Sequence, residues 1–132
     1  MLLDNTLVFS EAQAVAASAA STNIVDQKAA GDAYGSLWVV AKVVDDDFAT
    51  LTSLTVGVQT DSASNFSSAV TLASSGAIAA ASLTEGEFIC CFRLPADCKR
   101  YIRLYYTVGG SNATAGKVTA FLTAAAPIGN LK

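Results

Sequence analysis

The residues best suited to chemistry lie in the stretch KRYIRLYYTVGG, which begins at Lys99. Apolar side chains occupy every second position of this stretch, as in a strand with one buried face. The other face of this strand carries the candidate residues Tyr101, Arg103 and Tyr105. Two further candidates, Lys99 and Arg100, come directly before it. Tyrosine and arginine stack, donate hydrogen bonds and make cation–π contacts. These residue types therefore indicate contact chemistry.

Three interpretations of this second face stay open on residue types alone. An arginine stacked over tyrosine rings is an ordinary surface of a sheet in water. The same residue types are enriched at the energetic centre of protein interfaces. Aromatic rings also stack against sugars, so a carbohydrate platform is the third interpretation.

Catalytic and metal-binding constellations are missing from the sequence. The chain has no histidine, which removes the Ser-His-Asp and Cys-His arrangements and the usual general base. Cys90, Cys91 and Cys98 lack the C-x-x-C spacing of zinc sites. Asp45 and Asp47 are spaced as calcium ligands, but the required glycine and the final glutamate are absent. We therefore predict a protein without catalytic activity, cofactor or metal.

Length and composition restrict the class of protein. A chain of 132 residues fits one domain with a single core. Its hydrophobic content of 52% and charged content of 14% exclude a disordered chain. The net charge of −3 argues against nucleic-acid binding, which needs cations to neutralise phosphate. No apolar run is long enough to span a membrane and no signal peptide is expected, so we predict a chain made and kept in a cytosol.

The three cysteines fit that compartment. Cys90 and Cys91 are adjacent, so a strand directs them to opposite faces, and Cys98 falls in a turn roughly 13 Å further along. Disulfides need much closer Cα atoms. We therefore expect free thiols that are buried or half-buried.

Strand signals dominate the rest of the chain. The acidic run Asp45–Asp47 is predicted to be a solvated turn that closes the first strand, and the segment GGSNATAG is predicted to be a long hairpin loop. This spacing predicts an all-β fold, an antiparallel β-sandwich with a jelly-roll-like arrangement. Besides the stretch at Lys99, the predicted strands are Ser36–Val44, Ser53–Thr60, Val70–Ala73, Glu87–Leu94 and Lys117–Thr123.

The alanine-rich segment FSEAQAVAASAASTNIVD is ambiguous. Alanine favours helix, and Ser10 and Gln13 have the spacing of a capping box. Large apolar residues with a helical period are absent, so we predict a mostly extended segment, with a short helix as the alternative. We expect one sandwich domain over residues 1–132, with candidate contact arms at 1–30 and 124–132.

Two blocks of the sequence resemble a known family. DNTLVFSEAQAV…SAASTNIVD near the start and LPADCKRYIRLYYTVGGSNATAGKVTAFL near the end are similar to the Bbp16-type capsid cement, or decoration, proteins of tailed bacteriophages. The resemblance spans nearly the whole chain. It implies a structural virion protein on the capsid exterior, made in the host cytoplasm, that binds the major capsid protein across neighbouring subunits. It also implies a β-sandwich or jelly-roll-like fold and a homo-oligomer, a dimer or a trimer, and it brings no active site.

The sequence therefore leaves two functions open. In a cement protein, the face with Tyr101, Arg103 and Tyr105 would contact a sister subunit or the shell. The alternative is a carbohydrate- or receptor-binding sandwich of a phage tail or adhesin. That alternative needs exposed aromatic rings on one concave face, and Trp38, Tyr101 and Tyr105 are the credible set, although the apolar strand around Trp38 favours a core position.

Overall fold

The structure, a computed structural model, describes residues 8–26, 38–93 and 99–123. In these ranges eight strands form one open antiparallel sheet, and a 3₁₀ turn lies at Ala80–Ser82. The predicted all-β, sandwich-like fold is confirmed. The strands are β1 (Val8–Ala14), β2 (Ala19–Ala20), β3 (Val25–Asp26), β4 (Trp38–Asp61), β5 (Val70–Ser74), β6 (Ile78–Ala79), β7 (Phe88–Arg93) and β8 (Tyr101–Thr123).

Two long strands, β4 and β8, organise the sheet. They run antiparallel, from the pair Trp38–Thr123 at one end to the pair Asp61–Tyr101 at the other. The first half of β4 also pairs with β7, and the second half of β8 pairs with β1; these strand segments are called layer 1. The second half of β4 also pairs with β5 and β6, and the first half of β8 pairs with β2 and β3; these are called layer 2.

The two layers share one hydrophobic core. Side chains alternate along β4 and β8, and the inward-facing set from both halves forms a single buried cluster. The sheet therefore folds over itself, as in a β-sandwich. The members of the cluster that β4 and β8 contribute include Val39, Ala41, Val43, Val118, Ala120 and Leu122 from layer 1, and Leu54, Val56, Val58, Ile102, Leu104 and Tyr106 from layer 2.

Bulges in both long strands separate the two layers. The register of β4 against β8 shifts three times between Val44 and Ser53. In the same region the backbone takes positive φ at Asp45 and Thr50 of β4, and at Gly110 and Gly116 of β8. Bulges of this kind bend a strand and increase its twist, so the long pair turns here from layer 1 into layer 2.

This bend corrects two sequence predictions. The segment GGSNATAG lies inside β8, and the chain passes through it without reversing, so the predicted hairpin loop is wrong. Asp45–Asp47 is exposed as predicted, but β4 continues beyond it to Asp61, so this run does not close the strand. Glycine, asparagine and aspartate favour bulges as well as turns, and the residue types alone do not distinguish them.

The N-terminal alanine-rich segment is extended, as predicted. It forms β1, β2 and β3, all of which pair with β8. The described part of the first candidate arm thus belongs to the sheet. Residues 1–7 and 27–30 of that arm, and all of the candidate arm at 124–132, lie outside the described residues.

The cysteines of β7 are free and point to opposite faces, as expected. Cys90 is half-buried and packs against the core, while Cys91 is exposed, which differs from the buried or half-buried position predicted for it. Cys98 lies outside the described residues.

Candidate interaction surface

The alternation in the stretch that follows Lys99 is realised in β8. Ile102, Leu104 and Tyr106 point into the core and are at most 1% exposed. Between them, Tyr101, Arg103 and Tyr105 are half-buried on the outer face of layer 2. These three side chains are called the outer row.

Arg103 is the centre of the outer row. Its Nε atom donates a hydrogen bond of 2.8 Å to Oε1 of Gln59, which lies directly opposite on β4. The guanidinium carbon is 4.4 Å from the centre of the Phe66 ring and 5.9 Å from that of Tyr105, both within the range of cation–π attraction. Three neighbours therefore hold the arginine in place.

Phe66 reaches Arg103 because a buried carboxylate shapes the loop between β4 and β5. Asp61, only 2% exposed, accepts hydrogen bonds from the backbone N–H of Ser68 at 2.7 Å and of Ala63 at 3.2 Å. These bonds, led by that from Ser68, hold the pKa of the Asp61 carboxyl below its ordinary value. Phe66 itself takes φ +52° and is 7% exposed, so the loop covers one side of Arg103.

The two cations that precede the outer row are exposed and anchored. Arg100 makes a two-pronged contact with Asp26 of β3, with N–O distances of 2.9 and 3.1 Å, and its guanidinium lies 5.0 Å from the ring centre of Tyr101. The hydrogen bond to Asp26 raises the pKa of Arg100. The backbone N–H of Lys99 donates to Oγ1 of Thr60 at 2.7 Å. Arg100 is thus held through its side chain, and Lys99 through its backbone.

Sequence reasoning identified the outer row but missed its neighbours. Gln59 lies in a predicted strand, and nothing in its local sequence indicates that it is the partner of Arg103. Phe66 is the only aromatic residue of the polar loop DSASNFSS, and this was the one hint in the sequence that the loop packs against the sheet. Asp26 becomes the partner of Arg100 only when β3 pairs with β8.

Trp38 does not join the two tyrosines. It begins β4 in layer 1, where it is half-buried and lies opposite Arg93, whose guanidinium carbon is 5.8 Å from its ring. Tyr101 and Tyr105 belong to layer 2. The aromatic set required for the sugar platform is therefore divided between the two layers.

The described ranges can also be considered for metal sites, membrane-spanning helices and cavities. They contain no group of three or more histidine, cysteine or acidic residues able to hold a metal ion, and no helix that could cross a membrane. A cavity of about 340 Å³ lies at the bend, lined largely by small side chains. Its wall includes Asp45 and Lys117, which form an exposed ion pair at 3.7 Å.

Comparison with known proteins supports the resemblance seen in the two sequence blocks. A search of curated proteins finds no match to the chain. The family model described as Bbp16 matches residues 9–122, which include every described strand apart from the end residues Val8 and Thr123. The outer row and both of its anchored cations fall within the matched residues. The chain belongs to the Bbp16 family.

Proposed function

We propose that this protein is a bacteriophage capsid cement protein. It binds the outside of the major capsid shell as a homo-oligomer and stabilises the shell by bridging neighbouring subunits, with a structural and not a catalytic role. The observation that carries the proposal is the outer row: Tyr101, Arg103 and Tyr105 face outward, remain partly accessible, and are fixed in place before any partner binds.

Membership of the Bbp16 family supports a phage protein. The fold supports a binding role, because a two-layer sandwich with one shared core loses little conformational entropy when it docks. Its outer row offers arginine and tyrosine, the residue types enriched at the energetic centres of interfaces.

Stabilisation of a shell follows from mass action. A protein that binds the assembled lattice and not its separated subunits shifts the equilibrium toward the lattice. Each contact can be modest, since many repeated contacts act together across the shell. A sandwich with a pre-ordered contact row suits this role without any catalytic group.

The test is co-sedimentation of the purified protein with capsids that lack it, counting the copies bound per shell. We expect saturation at a multiple of the lattice sites, together with a higher disruption temperature of the shell. Failure to bind, or binding without a lattice stoichiometry, contradicts the proposal. Retention on a polysaccharide column in that case would favour the carbohydrate-binding alternative.

A double variant, Arg103→Ala with Tyr105→Ala, tests the surface. We expect weaker sedimentation with shells, while the free energy of unfolding stays within about 1 kcal/mol of the wild-type value, as for surface changes. The matched control is Arg93→Ala, which removes an exposed, ring-stacked arginine from layer 1. If the control weakens binding equally, or if the double variant unfolds, the outer row is not the contact surface.

A further inference from the structure

The guanidinium of Arg103 has unused hydrogen-bonding capacity. An arginine side chain carries N–H groups on Nε and on both Nη atoms. The Nε group donates to Gln59, but the Nη groups find no acceptor among the residues that the structure describes. The rings of Phe66 and Tyr105 attract the charge but do not replace hydrogen-bond acceptors.

Two other cations of the chain are arranged differently. Arg100 pairs with Asp26, and Lys117 lies 3.7 Å from Asp45. Arg103 has no such ion pair within the described ranges, although it is half-buried and loses part of its hydration. A partly buried charge without an opposite charge is costly, so this arrangement points to an anionic partner other than the residues that the structure describes.

The carboxylate on the adjacent strand is already engaged. Asp61 lies two residues beyond Gln59 on β4, and its oxygens accept hydrogen bonds from Ser68 and Ala63. It therefore shapes the loop that carries Phe66 and does not neutralise Arg103. The arginine is held by Gln59 and the two rings, and its Nη groups have no acceptor in the described ranges.

We propose that Arg103 is the receptor for a carboxylate of the major capsid protein, carried by an aspartate, a glutamate or a chain end. This inference rests on the proposed function and names the chemistry of its partner. The two Nη atoms of a guanidinium match the two oxygens of a carboxylate in a planar, two-pronged contact. The rings and Gln59 fix the orientation in advance, which reduces the entropy lost on binding. The chain's net charge of −3 disfavours nucleic-acid phosphate as the anion.

The test compares Arg103→Lys with the wild-type protein in co-sedimentation with capsids that lack it. Lysine keeps the charge but lacks the planar fork, so it separates fork-specific recognition from general attraction. We expect affinity to fall roughly tenfold, the scale of a lost hydrogen bond to a charged group. The matched control, Arg93→Lys, changes an exposed arginine of layer 1 and should bind as the wild type does. Equal melting temperatures will show that Arg103→Lys remains folded.

A second arm identifies the carboxylate. Capsid carboxyl groups are first amidated with a carbodiimide and ethanolamine. We expect wild-type protein to bind these treated capsids weakly. Its affinity for them should be about as low as the affinity of the Arg103→Lys protein for untreated capsids. Sedimentation velocity of both proteins without capsids tests whether a second copy supplies the carboxylate instead. If the wild type self-associates, the Arg103→Lys protein does not, and both bind shells equally, the carboxylate belongs to a second copy. That result would overturn the assignment to the shell.

The failures of the two proposals are distinguishable. If wild-type protein does not bind shells, the proposed function fails and this inference fails with it. If wild-type protein binds and Arg103→Lys binds equally well, the cement function stands and the carboxylate receptor is refuted.

Discussion

The hydroxyl groups of Ser10 and Tyr106 lie 2.7 Å apart in the buried interior and join the two layers of the sandwich. Ser10 belongs to β1 in layer 1, and Tyr106 belongs to the first half of β8 in layer 2. Ser10 donates its single hydroxyl proton to Oε1 of Gln13 at 2.5 Å, so Tyr106 must be the donor to Ser10. A polar chain thus crosses an otherwise apolar core.

This contact predicts unequal effects of two substitutions. Tyr106→Phe removes one hydrogen bond, and we expect the free energy of unfolding to fall by about 1 kcal/mol. Ser10→Ala leaves the buried phenol of Tyr106 without an acceptor, and we expect a loss of about 2 kcal/mol. Urea unfolding of both single variants and of the double variant measures the coupling between them. Additive effects would show that the two hydroxyl groups do not interact.

Asp61 predicts acid sensitivity of the loop that carries Phe66. Because hydrogen bonds lower its pKa in the folded state, the carboxylate stabilises the fold at pH values above its ordinary pKa of 3.8. That stabilisation is lost as the pH falls below 3.8 toward the folded-state pKa. We expect Asp61→Asn to melt at a lower temperature than the wild type at pH 7, and the difference to shrink by pH 2. A constant difference between pH 7 and pH 2 would contradict this role.

Gly116 predicts a severe defect at the bend. Its φ of +119° disfavours any side chain, and a Cβ atom would lie 2.5 to 2.7 Å from three carbons of the Phe48 ring. We expect Gly116→Ala to lower the free energy of unfolding by about 3 kcal/mol, combining backbone strain with overpacking. Gly76→Ala is the matched control, since Gly76 has φ +73° with open space around it. Its cost should be limited to strain, about 1 kcal/mol. Similar losses in both variants would show that the Phe48 contact is unimportant.

The adjacent cysteines predict unequal reactivity. Burial raises the pKa of the Cys90 thiol to about 12, so it stays protonated at pH 8, whereas Cys91 is exposed. In a Cys98→Ser protein, we expect an alkylating reagent to modify Cys91 first and Cys90 only on unfolding. Because Cys90 ionises more readily in the unfolded chain, its contribution to stability should decrease as the pH rises above 9.0. Equal alkylation rates of the two thiols in the folded protein would contradict this arrangement.

The alternation of residues gave correct expectations where burial alone decides the structure. Ile102 and Leu104 face the core and Arg103 faces outward, because a strand directs successive side chains to opposite faces. The same reasoning predicted the opposite orientations of Cys90 and Cys91. In these cases the prediction depends only on the order of residues within one strand.

The bend was not predictable in this way. Gly110 and Gly116 are typical of a loop, and only their position opposite a bulged part of β4 makes them part of a continuous strand. The cover over Arg103 was missed for a similar reason. Phe66 reaches it only because Asp61 fixes the intervening loop, and that arrangement depends on backbone conformation.

The long pairing of β4 with β8 has a consequence for how the chain acquires its fold. Partners such as Trp38 and Thr123 are far apart in sequence, and even the nearer end joins Asp61 to Tyr101. Loops between them must close before these pairs can form, and sandwiches with such non-local pairing fold on the order of milliseconds to seconds. Until then a nascent chain exposes unpaired strands that can associate with other chains. The speed of synthesis and the local concentration of chains should therefore influence the yield of folded protein.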